Sequence, residues 1–211
     1  MTLARTRRRN GVPESAAGDL AGGLAGEAAG RVFEVAAGPA RLVGLPALVG
    51  PDTRLLVLGS FPGVASLQEQ QYYGHPQNQF WRIMARLLDP AATELHRAPY
   101  ARRTRWLLAQ GVGLWDVYAS CEREGSLDSR IRHAVVNDFA ALRERCPRLM
   151  AVAHNGGESF RFAPLVRVLG VPSYRLPSTS PAHAAWPFER KLAAWREVFV
   201  QTGLIPPADV P

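Results

Sequence analysis

Lysine is nearly absent from this chain. Lys191 is the only one among the 25 Lys and Arg residues of 211. One side-chain amine confines Schiff-base chemistry to one position. Lys191 falls on a predicted final helix, beyond the last polar loop, where it reads as a surface or phosphate contact. Cysteine is also scarce. Cys121 and Cys146 are far apart, and neither belongs to a Cys/His cluster with zinc-ligand spacing. They read as two reduced thiols of a cytoplasmic protein, and no metal is implied. No apolar run is long enough to span a membrane, so no membrane partner is expected. The basic start, Arg5-Thr6-Arg7-Arg8-Arg9, is followed by Ala/Gly-rich sequence broken by Glu14, Asp19 and Glu27. That pattern lacks the apolar core of a secretory signal.

What is present is a basic chain able to fold. Hydrophobic residues make up 47%, enough for one domain with a full core. The net charge of +7 and the isoelectric point near 10.2 favour a polyanionic partner, nucleic acid ahead of membrane. Residues 1–35 read as a tail, because Ala and Gly dominate and no apolar face is sustained. Its arginines read first as a solvated terminus, with non-specific phosphate contact the alternative. Residues 36–205 read as a single domain, and the proline-rich residues 206–211 as a loose end.

Within that domain, residues 54–58 form the first clear strand, whose four consecutive apolar residues before Gly59 suit cover on both faces. A Gly/Pro turn follows, and then a polar, aromatic loop reaching Asn78. Phe80, Ile83, Met84, Leu87 and Leu88 have helical spacing, and Asp89-Pro90 closes that helix. A short helix is expected over residues 104–110 and a buried extended segment over 113–118. Next come a polar connector (121–129) and a helix capped by Asn137-Asp138. A strand over 149–153, a helix over 159–169, a strand over 171–176 and a helix over 188–202 complete the pattern. Strands alternating with helices predict an α/β domain with a parallel or mostly parallel sheet. Residues 41–44 read as an edge strand or an entry loop.

Three loops follow three strand ends: 59–78, 154–157 and 177–183. In a doubly wound sheet such ends converge on one rim, where ligands bind. The first loop offers aromatic faces and amides, which suit a flat polar ring. Several residues keep two readings at this level. Asn78 is either a helix cap or an amide aimed at a ligand. Of Tyr72 and Tyr73, one packs the loop and the other is free to stack. His75 is a structural hydrogen-bonder or an acid. Asp116 reads as a buried structural carboxylate ahead of a base, and Asp128 as a loop or capping residue. Asn155 either occupies a left-handed turn or contacts a base or phosphate.

The strings GSFPG, QYYGHPQNQFW, GVGLWDVYASCEREGSLDSRI, HNGG and LPSTSPAHA occur in that order. Together they resemble the DNA-deoxyinosine (hypoxanthine-DNA) glycosylase branch of the uracil-DNA glycosylase superfamily, over roughly residues 50–200. The resemblance implies a three-layer α/β/α fold around a four-stranded, mostly parallel sheet. It also implies hydrolysis of the N-glycosidic bond of a flipped, deaminated base in DNA, without metal or cofactor, by a monomer in base-excision repair. Asn78 matches the catalytic asparagine and Tyr73 the aromatic that stacks on the base. Gly59, Ser60, Phe61, Pro62 and Gly63 match the first motif. Gly59, Ser60 and Phe61 go with His75 and Asn155 as base contacts, and Pro62 and Gly63 as DNA contacts. Ser178, Thr179 and Ser180 match the second motif, which grips the strand, and His183 lies in the wedge region.

Two departures bear on substrate. Phe61 stands where mismatch-specific uracil glycosylases have a water-activating Asn and other members an Asp. Ser178 replaces the histidine of uracil-specific members. Both favour deoxyinosine over uracil. Neutral donors, the Asn78 amide and the N–H groups of the Gly59–Gly63 turn, can stabilise the departing hypoxanthine anion. The alternatives are a uracil- or xanthine-directed enzyme of the same superfamily, or a non-catalytic damaged-DNA or nucleotide-binding module.

Overall fold

A computed structural model of the protein describes residues 40–91 and 94–207. The tail expected over 1–35 lies outside the described residues, as does most of the loose end expected over 206–211.

The frame is a four-stranded parallel sheet in the order β3-β2-β6-β7, made of β2 (Leu55–Gly59), β3 (Val112–Asp116), β6 (Ala151–Asn155) and β7 (Ser173–Leu176). β2 is central and fully buried. Leu55 and Val57 belong to one core, Leu56 and Leu58 to the other. The alternation of a pleated strand thus makes four consecutive apolar residues serve two layers.

On the first face pack α2 (Phe80–Leu88), α3 (Tyr100–Ala109) and α7 (Phe188–Gln201), through Phe80, Ile83, Met84, Leu107, Trp195 and Phe199. In α2 the exposed positions are Arg82 and Arg86, the polar side of the 3.6-residue period. The second face is covered by Leu142 of α4 (Leu142–Arg145), Val166 of α6 (Ala163–Val166) and Leu169. The layers are therefore α/β/α, as the resemblance implies, and all four strands of the sheet are parallel.

The structure departs from the sequence reading in several places. The extended segment expected over 113–118 is two strands. The chain leaves the central sheet at Val117, whose N–H donates to the Gly59 carbonyl at 2.9 Å. It continues as β4 (Tyr118–Glu122) in a second, antiparallel sheet of order β1-β4-β5, with β1 (Arg41–Val43) and β5 (Arg132–Val136). β5 is almost wholly exposed, so no apolar alternation marks it. The helix expected over 159–169 breaks into α5 (Gly157–Phe160), α6 and a 3-10 turn, because Pro164 has no N–H to bond back to Phe160. The first rim loop contains a short helix, α1 (Val64–Glu69).

Lys191 is not on the surface. It is 1% exposed and takes an inward position of α7, one turn before Trp195, and burial lowers its pKa. Cys121 and Cys146 are both buried and unpaired. Among the described residues no helix is long and apolar enough to cross a membrane.

Leu58 is fully buried under the second layer. Leu58→Ala is expected to cost about 2–5 kcal/mol, measured as a lowered midpoint in urea unfolding followed by circular dichroism.

Candidate active site

The carboxyl ends of all four parallel strands open into one cavity of about 420 Å³. Gly59 enters from β2, Asp116 from β3, Asn155 from β6, and Ser178 from the loop after β7. Every site residue named from the sequence lines it: Gly59, Ser60, Phe61, Pro62, Gly63, Tyr73, His75, Asn78, Asn155, Ser178, Thr179, Ser180 and His183. Lys191 is not among the lining residues.

The aromatic loop is fixed from below. Tyr72 is the packing member of the pair. Its hydroxyl lies 3.2 Å from the Leu45 carbonyl and 3.1 Å from that of Pro46, and its own carbonyl accepts from the Trp81 indole. Tyr73 has φ of 55° and stacks on Phe80 at 4.0 Å between centroids, so one ring face is spoken for. A turn then forms, in which the Asn78 N–H donates to the His75 carbonyl and the Gln77 N–H to His75 Nδ1. Asn78 both bonds the start of α2 and lines the cavity. Its Oδ1 accepts the Phe80 N–H at 3.0 Å, which caps the start of α2. Its Nδ2 has no partner among the described residues, and the residue lines the cavity. The cap holds the amide so that its donors remain for a ligand.

The 177–183 loop is tied down at three points. The Trp195 indole donates to the Pro177 carbonyl. The Gln79 N–H donates to the Thr179 carbonyl at 3.0 Å. The Asn155 amide makes a two-point clamp, with Oδ1 accepting the Thr179 N–H and Nδ2 donating to Thr179 Oγ1, both at 2.9 Å. Asn155 is therefore engaged in positioning the loop. Gly156 follows with φ of 113°, and a Cβ there would press on Ser178 Cβ at 3.2 Å. Only glycine lets the β6 turn approach that loop so closely. Ser178 and Ser180 accept N–H groups two residues ahead, from Ser180 and Ala182. His183 lies near Trp186, with ring centroids 6.3 Å apart.

The first-motif turn is braced by the 121–129 connector, which sequence reasoning left outside the site. Ser60 Oγ donates to Asp128 Oδ1 at 2.8 Å, and the Val64 N–H to Ser126 Oγ at 3.0 Å. Arg123 is buried, donates to the Pro62 carbonyl and lies 5.0 Å above the Phe61 ring. Phe61 itself belongs to the second core. The N–H groups of Phe61 and Gly63 have no acceptor among the described residues. Asp116, read as structural, also lines the cavity, and its carboxyl is pushed up to about 7 by burial and by the nearby Asp128 charge. Its signal in the sequence was position: a carboxylate at a strand's carboxyl end. His154 is fully buried, with Nδ1 donating to Ser159 Oγ, which in turn donates to the Leu58 carbonyl. Burial lowers its pKa to about 4 and keeps it neutral.

The uracil DNA glycosylase superfamily matches residues 46–201, and the chain belongs to that superfamily of N-glycosyl hydrolases. Two curated relatives, the hypoxanthine DNA glycosylases of Methanosarcina acetivorans and Methanosarcina barkeri, are 36% and 35% identical over 156 residues, which is 74% of this chain and 96% of each relative. A candidate uracil DNA glycosylase from Methanosarcina acetivorans, solved by solution NMR, matches with a TM-score of 0.68 at 34% identity and covers 78% of this chain and 99% of its own.

Thr179 is fully buried, so losing the Asn155 clamp would strand its N–H. Asn155→Ala is expected to destabilise by about 1–3 kcal/mol, read as a lower unfolding midpoint, and to expose the 177–183 segment to faster amide hydrogen exchange.

Proposed function

We propose that this chain is a monofunctional DNA glycosylase that releases hypoxanthine from deoxyinosine and leaves an abasic site. It acts as a cytoplasmic monomer in base-excision repair, through the domain at residues 36–205. One observation supports this reading above the others. The Asn78 amide is held rigidly at the cavity wall with its donors unpaired, while the first-motif position that would supply an acid is the core residue Phe61. The printed names of the two Methanosarcina relatives point to the same base.

In the proposed reaction the deoxyinosine swings out of the duplex and its base enters the cavity. Tyr73, backed by Phe80, presents its remaining ring face to the purine. The C1′–N9 bond breaks, positive charge builds on the sugar and negative charge on the base. Asn78 and the free N–H groups of Phe61 and Gly63 stabilise that charge. Water adds its hydroxyl to C1′ and its proton ends on the released base. Ser178, Ser180 and His183 grip the strand at the mouth with Gly63, whereas Thr179 and Pro62, read from the sequence as DNA contacts, are buried and act only by holding these loops in place. No amine lines the cavity among the described residues, which supports hydrolysis without a covalent intermediate.

The test is a single-turnover assay on duplexes holding one deoxyinosine or one deoxyuridine. The expected outcome is strand scission at inosine that requires alkali. Asn78→Ala should lower that rate by about 10²–10³ while duplex binding persists. Cleavage at uracil alone would move the activity to the uracil-directed alternative. Binding of either duplex without any cleavage would leave the binding-module reading. Deleting residues 1–35 should leave the single-turnover rate at inosine unchanged; a large loss would place the arginine cluster in the working protein.

A further inference from the structure

Two polar groups are buried together deep in the cavity. Asp116 is 4% exposed, and its Oδ2 is buried without a hydrogen-bond partner. The Tyr73 hydroxyl is likewise buried, beside the Asn155 amide that is already bonded to Thr179. Both lie over the end of β2. A Cβ at Gly59 would collide with Asp116 Oδ1 and stand 3.7 Å from the Tyr73 hydroxyl. The missing side chain at Gly59 is what gives the carboxyl its place. Orphaned buried polar groups are costly, and a ligand that pairs them recovers the cost.

Depth tells which part of the substrate they meet. The groups assigned to the strand, such as His183 and Ser180, are partly exposed. Asp116 is at the buried end of the same cavity, on the last residue of β3. A nucleotide inserted base-first brings the far edge of the base to that end and keeps the sugar near the mouth. In hypoxanthine that edge is a lactam, one N–H donor beside one C=O acceptor.

Building on the hydrolase reading above, we propose that Asp116 binds the lactam edge of the extruded base, its carboxylic O–H donating to the base carbonyl and its C=O accepting the base N–H. The neutral acid matches both groups of the lactam. It also stabilises the leaving base as negative charge spreads onto that carbonyl, whereas an ionised carboxylate would repel it. Asp116 thereby supplies the leaving-group contact that Ser178 is too short to make.

The surroundings make the neutral acid available. Burial and the Asp128 charge raise its pKa, and Arg123 lowers it, leaving it at about 7. Tyr73, Tyr72 and Tyr100, the other titratable groups that sense Asp116, have pKa values raised by burial and stay neutral. The sign follows: the acid form dominates below about pH 7 and is lost above it, so base release slows on the alkaline side.

The experiment uses the full chain in single-turnover cleavage of an inosine duplex, from about pH 6 to 9. Wild type should slow as pH rises through neutrality. Asp116→Asn keeps one donor and one acceptor without a titrating proton, so it should retain activity at low pH and lose the alkaline decline. Asp116→Ala should fall about 10²-fold or more at every pH, with folding checked by circular dichroism. If Asp116→Ala fails to fold, the Asp116→Asn profile decides alone. An unchanged alkaline decline in Asp116→Asn, or its inactivity at all pH values in a folded protein, would overturn the inference while leaving the hydrolase reading intact. No inosine cleavage by wild type would overturn both.

Discussion

The double burial of β2 is the constraint on which the rest depends. A strand with no exposed side chain must be covered by layers on both sides, and here the helices that connect its parallel neighbours supply them. That requirement places four strand ends on one rim. It also fixes where the chain must turn. At Gly59 the side chains stop, and the space released is shared by the Asp116 carboxyl and the Tyr73 hydroxyl. Core and cavity are thus two consequences of one apolar run and the glycine that ends it.

Much of this was legible in the sequence, for reasons that can be named. The LLVL run and the spacing of Phe80, Ile83, Met84 and Leu87 are signals of burial, and burial decided those elements. The rim loops were legible because Gly and Pro mark where strands stop. β5 and the antiparallel sheet were not legible, because an exposed strand has no hydrophobic alternation to display. Lys191 misled in the opposite direction: a charged residue was read as surface, but the i, i+4 relation to Trp195 outweighed its charge. In the site, Asn155 could be placed at the cavity, but its engagement with Thr179 could not be foreseen, since that depends on how closely two loops approach. Asp116, Asp128 and Arg123 were set aside for a similar reason. Their significance comes from burial beside the first-motif turn, and residue type does not reveal burial.

The site is nearly free of side chains that are charged at neutral pH and unpaired. Ser60 holds Asp128, Arg123 turns to the Pro62 carbonyl and the Phe61 ring and does not line the cavity, and His154 is buried and neutral. What remains facing the cavity, besides the Asp116 carboxyl and the His75 and His183 rings, is a set of amides, hydroxyls and backbone N–H groups. Fixed neutral dipoles of this kind suit a reaction in which charge is absent at the start and separates along the path, because they need not reorganise when it develops.

The ties around Thr179 have a further consequence. Its carbonyl is bonded to Gln79, beside the proposed catalytic amide, and its N–H and hydroxyl to Asn155 at the end of β6. The floor of the cavity and the segment proposed to grip the strand are therefore one preassembled body. Little chain entropy is left to lose when the duplex arrives, so the free energy of docking can be directed against base stacking in the DNA. A damaged pair that is already weakly stacked then gains the most from a receptor built in advance. Discrimination begins in the helix being scanned, before any edge of the base is read.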